Sequence, residues 1–295
     1  MLSVRPLALV AAALVAVSPA VQLQRTLYVT ASTVDGSALA QLSAADLVVK
    51  ENGQPRRIVH VEPSTAKLQV AIAVEERLTP DDDVRKAVAN FIDRIRDSGE
   101  LALYVVGRRS EKRVDYTSDV LPFANAINRF PARSVERGDI VQALREIAHD
   151  QHTREGRRAV IAVAVQDSQV SNVTAESVLE QLTASRSVLY AATLAGFETS
   201  TVPSGATSGG RRLDLEGQVA GLERDKVFND ATRQSGGLHV SSQRTAGLFA
   251  ALERIAGELH RQYVVSYEGD VKADGSVNVE AVRGGLTLRG PARVR

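Results

Sequence analysis

The run LQVAIAVEERLTPDDD, residues 68 to 83, constrains the fold more than any other stretch of this chain. Its first half is an unbroken series of small and branched apolar residues, the composition of a parallel strand covered on both faces. From Glu75 onward it turns polar. Thr79, Pro80 and Asp82 then carry the signature of a helix start: a hydroxyl cap, a proline at the first helical position and an acid three residues after the cap. Strand, polar turn and helix in direct succession are the first half of a βαβ unit. In open α/β sheets ligands bind beyond the carboxyl ends of the strands, so residues 75 to 79 are where function is to be sought first.

The same pattern recurs downstream. Val84, Ala87, Val88, Phe91, Ile92 and Ile95 repeat at helical spacing, and Ser98-Gly99 closes that helix. LALYVV at 101–106, AVIAVAV at 159–165 and VLYAATL at 188–194 read as further buried strands, with helices expected over 121–130, 139–148 and 175–184. Residues 198–217 are rich in Gly, Ser, Thr and Arg and read as a surface loop. Helix resumes over 219–234, a short strand follows at 238–241, and an amphipathic helix spans 245–261. Strands alternating with helices at these lengths predict a doubly wound α/β domain over residues 65–262, built on a mostly parallel sheet.

Both flanks have a different period. In residues 21–64, Leu27, Val29 and Ala31 alternate with polar neighbours, Asp35-Gly36 marks a turn, and Glu51-Asn52-Gly53 is a hairpin signal between 47–49 and 58–61. Asp46 reads as a turn or bulge residue. In residues 263–295, YVVSY at 263–267 and the strands expected at 276–282 and 286–288 are separated by Asp274-Gly275 and Gly284-Gly285. Neither flank is large enough to form a core alone, so the two are expected to join as an accessory β-sandwich-like region with the α/β domain inserted between them.

The first 20 residues read as an export signal. Arg5 precedes the apolar run Leu7 to Val17, and Ser18-Pro19-Ala20 places small residues at a cleavage site, so the mature chain is expected to begin near Val21, without a membrane span, in the periplasm or the secreted space. The chain has no cysteine, which excludes disulfides, thiolate nucleophiles and Cys-ligated metals. Lys and Arg number 36 against 35 Asp and Glu, so no overall field favours nucleic acid.

Four stretches together resemble the von Willebrand factor A domain, in particular the bacterial related proteins that begin with a signal peptide and a short β segment. They are DLVVKENGQPRRIVHV at 46–61, LQVAIAVEERLTP at 68–80, RRAVIAVAVQD at 157–167 and ALERIAGELHRQYVVSYEGD at 251–270. The resemblance implies a protein-binding module, with a metal-ion-dependent adhesion site made from an Asp-x-Ser-x-Ser motif, a threonine and an aspartate. Here the matching positions read Glu75, Arg77 and Thr79, then Asp139, then Val165, with Asp167 close by. Magnesium and calcium require several oxygen donors, and Arg77 supplies only N–H donors and a positive charge. The resemblance therefore implies a degenerate site in which no metal is held and Arg77 takes the cation's place, pairing with Glu75 or Asp139. The alternative is magnesium or calcium held in altered geometry by Glu75, Thr79, Asp139 and Asp167.

No catalytic pattern competes. The chain lacks the G-x-S-x-G elbow and both phosphate-binding glycine spacings. His149 and His152 sit three apart on a charged helix end, a place for solvated histidines, while His60, His239 and His260 are isolated in sequence. Asp81, Asp82 and Asp83 suit a helix N-terminus. The expectation is a non-enzymatic protein-binding module of the bacterial envelope or secreted space, with no cofactor; the alternative is a structural or assembly protein whose crevice is idle.

Overall fold

The computed structural model describes residues 23–37, 39, 41–131, 138–166, 171–195, 215–270 and 275–294. The amino-terminal strands are β1 (Leu23–Thr33), β2 (Leu47–Glu51), β3 (Gln54–Arg56) and β4 (Ile58–Pro63). The α/β part follows as β5 (Leu68–Glu75), α1 (Asp82–Ile95), β6 (Gly99–Val106), β7 (Ser110–Thr117), α2 (Leu121–Asn128), α3 (Ile140–Asp150), β8 (Arg157–Val165), α4 (Ala175–Ser185) and β9 (Ser187–Leu194). It continues through α5 (Leu215–Lys226), a π-helical turn (Val227–Ala231), α6 (Thr232–Gln234), β10 (His239–Ser242) and α7 (Ala246–Leu259). The chain ends with β11 (Gln262–Gly269), β12 (Gly275–Ala281), β13 (Leu286–Arg289) and β14 (Arg293–Val294).

The central sheet has six strands in the order β10-β9-β8-β5-β6-β7, parallel except for β7 at one edge. Counted in chain order within the sheet, this is the 3-2-1-4-5-6 arrangement of a doubly wound α/β fold, and the order reverses between β5 and β8. Every residue of β5 is buried, as its composition predicts. Alternate side chains point to opposite faces. One face presents Val70, Ile72, Val74, Ile161 and Val163 to α1, α2 and α7, and the other presents Ala71, Ala73, Ala162, Ala164 and Ala191 to α3, α4 and the π-turn. The small side chains let the second helical layer lie close to the sheet.

Two readings need correction. Asp81 caps α1, its carboxylate accepting from the Asp83 and Val84 N–H groups, whereas Thr79 ends a preceding 3₁₀ turn over Glu76–Leu78. The proline and three acids fit either register, and the extra turn decides between them. The sheet also has the antiparallel edge strand β7, which the sequence reading left unassigned: of SEKRVDYT only Val114 is buried, so the segment carries almost no apolar period.

The two flanks interleave. β1 pairs antiparallel with β11 from Leu23↔Gly269 to Thr30↔Gln262, giving a sheet β13-β1-β11-β4, and β12 pairs with β2 in a second sheet β14-β12-β2-β3. Leu27, Val29, Val49, Val265, Tyr267 and Val277 form a core between them. Asn52 and Gly53 turn the β2–β3 hairpin with φ of 53° and 76°, the two positive values of a type I′ turn. Asp46 accepts from the Ser43 N–H and hydroxyl in a short 3₁₀ turn. The crossing between the two parts is tied by Arg157 at the start of β8, which donates to the carbonyls of Ala66 (2.8 Å) and Leu259 (2.7 Å) and to Gln262 Oε1 (3.2 Å).

Candidate functional site

β5 delivers Glu75 to the carboxyl edge of the sheet beside β8, where the strand order reverses. The carboxylate is wholly buried. The 3₁₀ turn that follows folds Arg77 back, so its Nη2 donates to Glu75 Oε1 at 2.7 Å and its Nε to the same oxygen at 3.2 Å. Of the two carboxylates expected to receive Arg77, it is therefore Glu75 that does. The other oxygen, Oε2, accepts from Arg224 Nη2 at 2.7 Å and from the Val165 N–H at 2.8 Å. Arg224 also donates twice to the Val165 carbonyl, from Nε at 3.0 Å and Nη2 at 2.6 Å, and its guanidinium lies 5.5 Å from the Phe228 ring. Side-chain exposures of 3%, 2% and 0% for Arg77, Arg224 and Glu75 place this Arg–Glu–Arg cluster inside the protein.

The other expected residues stand apart from this cluster. Thr79 is buried, and its hydroxyl donates to the Glu76 carbonyl at 2.7 Å. Asp139 caps α3 by accepting from the Gln142 N–H at 3.0 Å, and its second oxygen accepts from the Ser171 hydroxyl at 2.7 Å. Asp167 lies outside the described residues. Val165 contributes no oxygen from its side chain, which packs in the apolar core, but its backbone holds both Glu75 and Arg224.

This donor set does not fit a divalent cation. Both Glu75 oxygens are engaged, the Thr79 and Asp139 oxygens have partners of their own, and an ion at Glu75 would meet two guanidinium charges within a few ångströms. His149 and His152 use Nδ1 toward Gln181 Oε1 (3.3 Å) and the Ala184 carbonyl (3.1 Å), joining the end of α3 and the 3₁₀ turn after it to α4. Among the described residues no three His, Asp or Glu side chains converge on a metal position.

Sequence reasoning missed Arg224. Its signal is positional: it falls three, four and seven residues before the buried Val227, Phe228 and Ala231, so a charge sits on an apolar helical stripe. A second unforeseen constellation joins Thr193, His239 and Asn229. Thr193 Oγ1 is 2.7 Å from His239 Nε2, and Asn229 Oδ1 is 2.9 Å from Nδ1. Burial pushes the imidazole below its ordinary pKa, partly offset by Asp225. The spacing resembles a nucleophile, base and orienting group, but the Thr193 side chain is enclosed in the sheet and has no path to a substrate in this conformation.

No protein-family model matches the chain, and no curated protein matches it. Among solved structures it is similar to BatB from Bacteroides thetaiotaomicron, at 16% identity over 65% of this chain and 98% of that one, with a TM-score of 0.43. It is likewise similar to an aerotolerance-related membrane protein from Bacteroides fragilis NCTC 9343, at 15% identity over 65% and 98% of the two chains, with a TM-score of 0.43. The SpRpn10 VWA domain matches at 15% identity over 62% and 93%, with a TM-score of 0.39. By the order of its strands and helices, the α/β part of this chain has a von Willebrand factor A-like fold.

Proposed function

We propose that this chain is an exported, non-enzymatic protein-binding module that works without a divalent cation. The supporting observation is the occupation of both Glu75 oxygens by Arg77 and Arg224 at the point where strand order reverses, the position a ligand-bridging metal would need. Because that cluster is buried, contacts with a partner fall to the surrounding loops, including the exposed Arg108 and Arg109 between β6 and β7. The basic and apolar leader of residues 1–20 supports export to the periplasm or secreted space. No helix among the described residues is long and apolar enough to cross a membrane.

The test is capture of a partner from the native envelope by the mature protein, with and without a chelator, alongside Arg109→Glu. Capture that survives chelation and is lost in Arg109→Glu is expected. Capture abolished by chelation and restored by magnesium would overturn the metal-free reading. Complete burial of the crevice cluster also suits an assembly role carried by the β-sandwich edges; in that case Arg109→Glu binds normally and charge changes at exposed Val59 on β4 abolish capture.

A further inference from the structure

Two edge strands of this protein are built against further pairing. β7 slips register at two points along β6 and carries Glu111, Lys112, Arg113 and Asp115, while β4 slips once against β11 and ends at Pro63. Bulges, charges and prolines are the usual means of blunting an exposed edge. The first half of β1 has none of them on its open side. From Leu23 to Thr30 it keeps an unbroken register with β11, and the residues spaced along its other side are the uncharged Gln24, Thr26 and Tyr28.

On that side β13 pairs only with Thr30 to Thr33. The reason is Pro291. Continuing the register past Thr30↔Arg289 would set Pro291 opposite Tyr28, and proline has no N–H to give to the Tyr28 carbonyl. The chain turns away instead: the Ala292 N–H donates to the Gln234 carbonyl at 2.7 Å, and the Ala292 carbonyl accepts from the Val277 N–H at 2.8 Å. A lane beside β1 is left open. The Tyr28 carbonyl oxygen lies 3.9 Å from where a Cβ on Gly290 would stand, so it points away from β11 and toward this lane. The N–H and C=O of one strand residue share a side, and the side alternates along the chain, so those of Thr26 and Gln24 face the lane as well. Among the described residues none of these groups has a backbone partner there.

We propose that this lane binds an extended peptide segment, which joins the sheet as a strand beside β1. The stretch Leu23–Tyr28 offers about 20 Å of ladder, and main-chain hydrogen bonds to such an edge supply the affinity. The lane runs along a groove of about 610 Å³ bounded by β1, the start of β8, the α4–β9 junction and the Arg293–Val294 segment, at the amino edge of the central sheet. That volume falls within the range of ligand sites, roughly 300–1,000 Å³, which limits the occupant to a short segment with small side chains. Leu27, Leu182, Val188 and Val294 give apolar walls and so favour β-branched residues. A second copy of the chain is a poor fit: its own β1 edge lies within the same walls, and two such recessed edges cannot come alongside. The site is remote from the loops around Arg109 and does not depend on their role.

The probe is a displayed library of random linear heptapeptides selected on the mature protein, the best binder then being made as a synthetic peptide. Saturable binding is expected, and it should slow hydrogen exchange at the N–H groups of Gln24, Thr26 and Tyr28 at least about tenfold, while Arg25, Leu27 and Val29, already bonded to β11, change little. Of the two versions of the peptide methylated on alternate backbone nitrogens, one should bind about tenfold more weakly, because only one set of N–H groups faces β1. Thr26→Pro is the telling variant. It removes an N–H that the fold does not use, so it should keep the parent's urea midpoint and lose about tenfold in affinity. Leu27→Pro removes an N–H bonded to β11 and should lower the midpoint. If Thr26→Pro folds poorly, Gln24→Pro makes the same test nearer the strand end. Arg109→Glu should bind the peptide as the parent does. The proposal is overturned if no selected peptide protects the three N–H groups, if the folded proline variants retain full affinity, or if the groups become protected merely on concentrating the protein, which would make a second copy the occupant.

Discussion

Glu75 and Arg224 are 149 residues apart in the chain, yet their side chains meet at 2.7 Å inside the protein. The contact joins the first strand of the central sheet to the helix preceding its last strand, across the point where strand order reverses. Arg77 completes the cluster from the turn beside Glu75, so one carboxylate organises three separate segments: β5, the end of β8 and α5.

Removing one member should be costly. Breaking a buried pair from one side typically destabilises by about 3–5 kcal/mol, and here the side chains are 2–3% exposed, so solvent cannot take over the lost partner. Arg224→Ala should cost more than Arg77→Ala, because it also strips the Val165 carbonyl of both side-chain donors. Replacing all three by apolar residues, Glu75→Leu with Arg77→Met and Arg224→Met, should cost less than either single change. Urea midpoints of the four proteins decide the matter; a triple variant weaker than both singles would show that the charges contribute net stability.

The parallel strands and the Glu75–Arg77 pairing were legible because their causes are local. β5, β8 and β9 are covered on both faces and read as apolar runs, and a glutamate two residues from an arginine at a strand end needs only one turn to pair. β7 was not legible because an edge strand with one buried side chain leaves no period. Arg224 was not legible as a partner of Glu75, since nothing near it in the chain indicates which distant strand its helix covers. Asp139 was noticed for its place in the family pattern, but its carboxylate serves as a helix cap, a role its position before IVQAL also announces.

Restoring a cation site takes more than the two positions that depart from the family pattern. Arg77→Ser with Val165→Asp leaves Arg224 on Glu75 and buries a new carboxylate in the apolar core, so this pair should be less stable and indifferent to magnesium. Arg77→Ser with Arg224→Ser instead removes both guanidinium charges from Glu75 and leaves only the Val165 N–H on its Oε2. For a site with a Kd of about 1 mM, about 10 mM magnesium would add roughly 1.4 kcal/mol. A rise in Tm with magnesium in this second variant and none in the parent is the expected result. An equal rise in both would show that the parent already holds the ion.

Acidification should destabilise the protein before the carboxylates titrate. Burial holds the pKa of His239 and of His260 below the ordinary 6.5; Asp225 partly opposes this for His239, and Arg94, Arg157 and Arg261 reinforce it for His260. Below 6.5 the unfolded chain therefore binds more protons than the folded one. Stability is fully present above that value and falls as the pH drops through the window beneath it. The lowered carboxylates of Asp35 and Asp115 act later, as the pH falls through values under 3.8. Urea midpoints at pH 7.5 and 5.5 should differ, and His239→Gln should reduce the difference. A His239→Gln protein with the parent's full pH dependence would remove this histidine as a cause.

Arg157 should matter more than a single surface-edge arginine, because it is buried at the crossing between the β-sandwich and the α/β part. Its guanidinium satisfies the Ala66 and Leu259 carbonyls, the first on the way into the central sheet and the second on the way out. Arg157→Ala leaves both acceptors short of a donor, and each buried unsatisfied group costs about 1–3 kcal/mol. A loss of about 2–5 kcal/mol is expected, allowing for water entering the edge. Arg157→Lys should recover only part of it, since one ammonium cannot reproduce the planar spread of donors to three acceptors on two segments. The two parts should also respond together: hydrogen exchange in Arg157→Ala should quicken at Val264 and Val265 of β11 as well as at Ala159 and Val160 of β8. Faster exchange confined to β8 would show that Arg157 merely braces its own strand and does not couple the two parts.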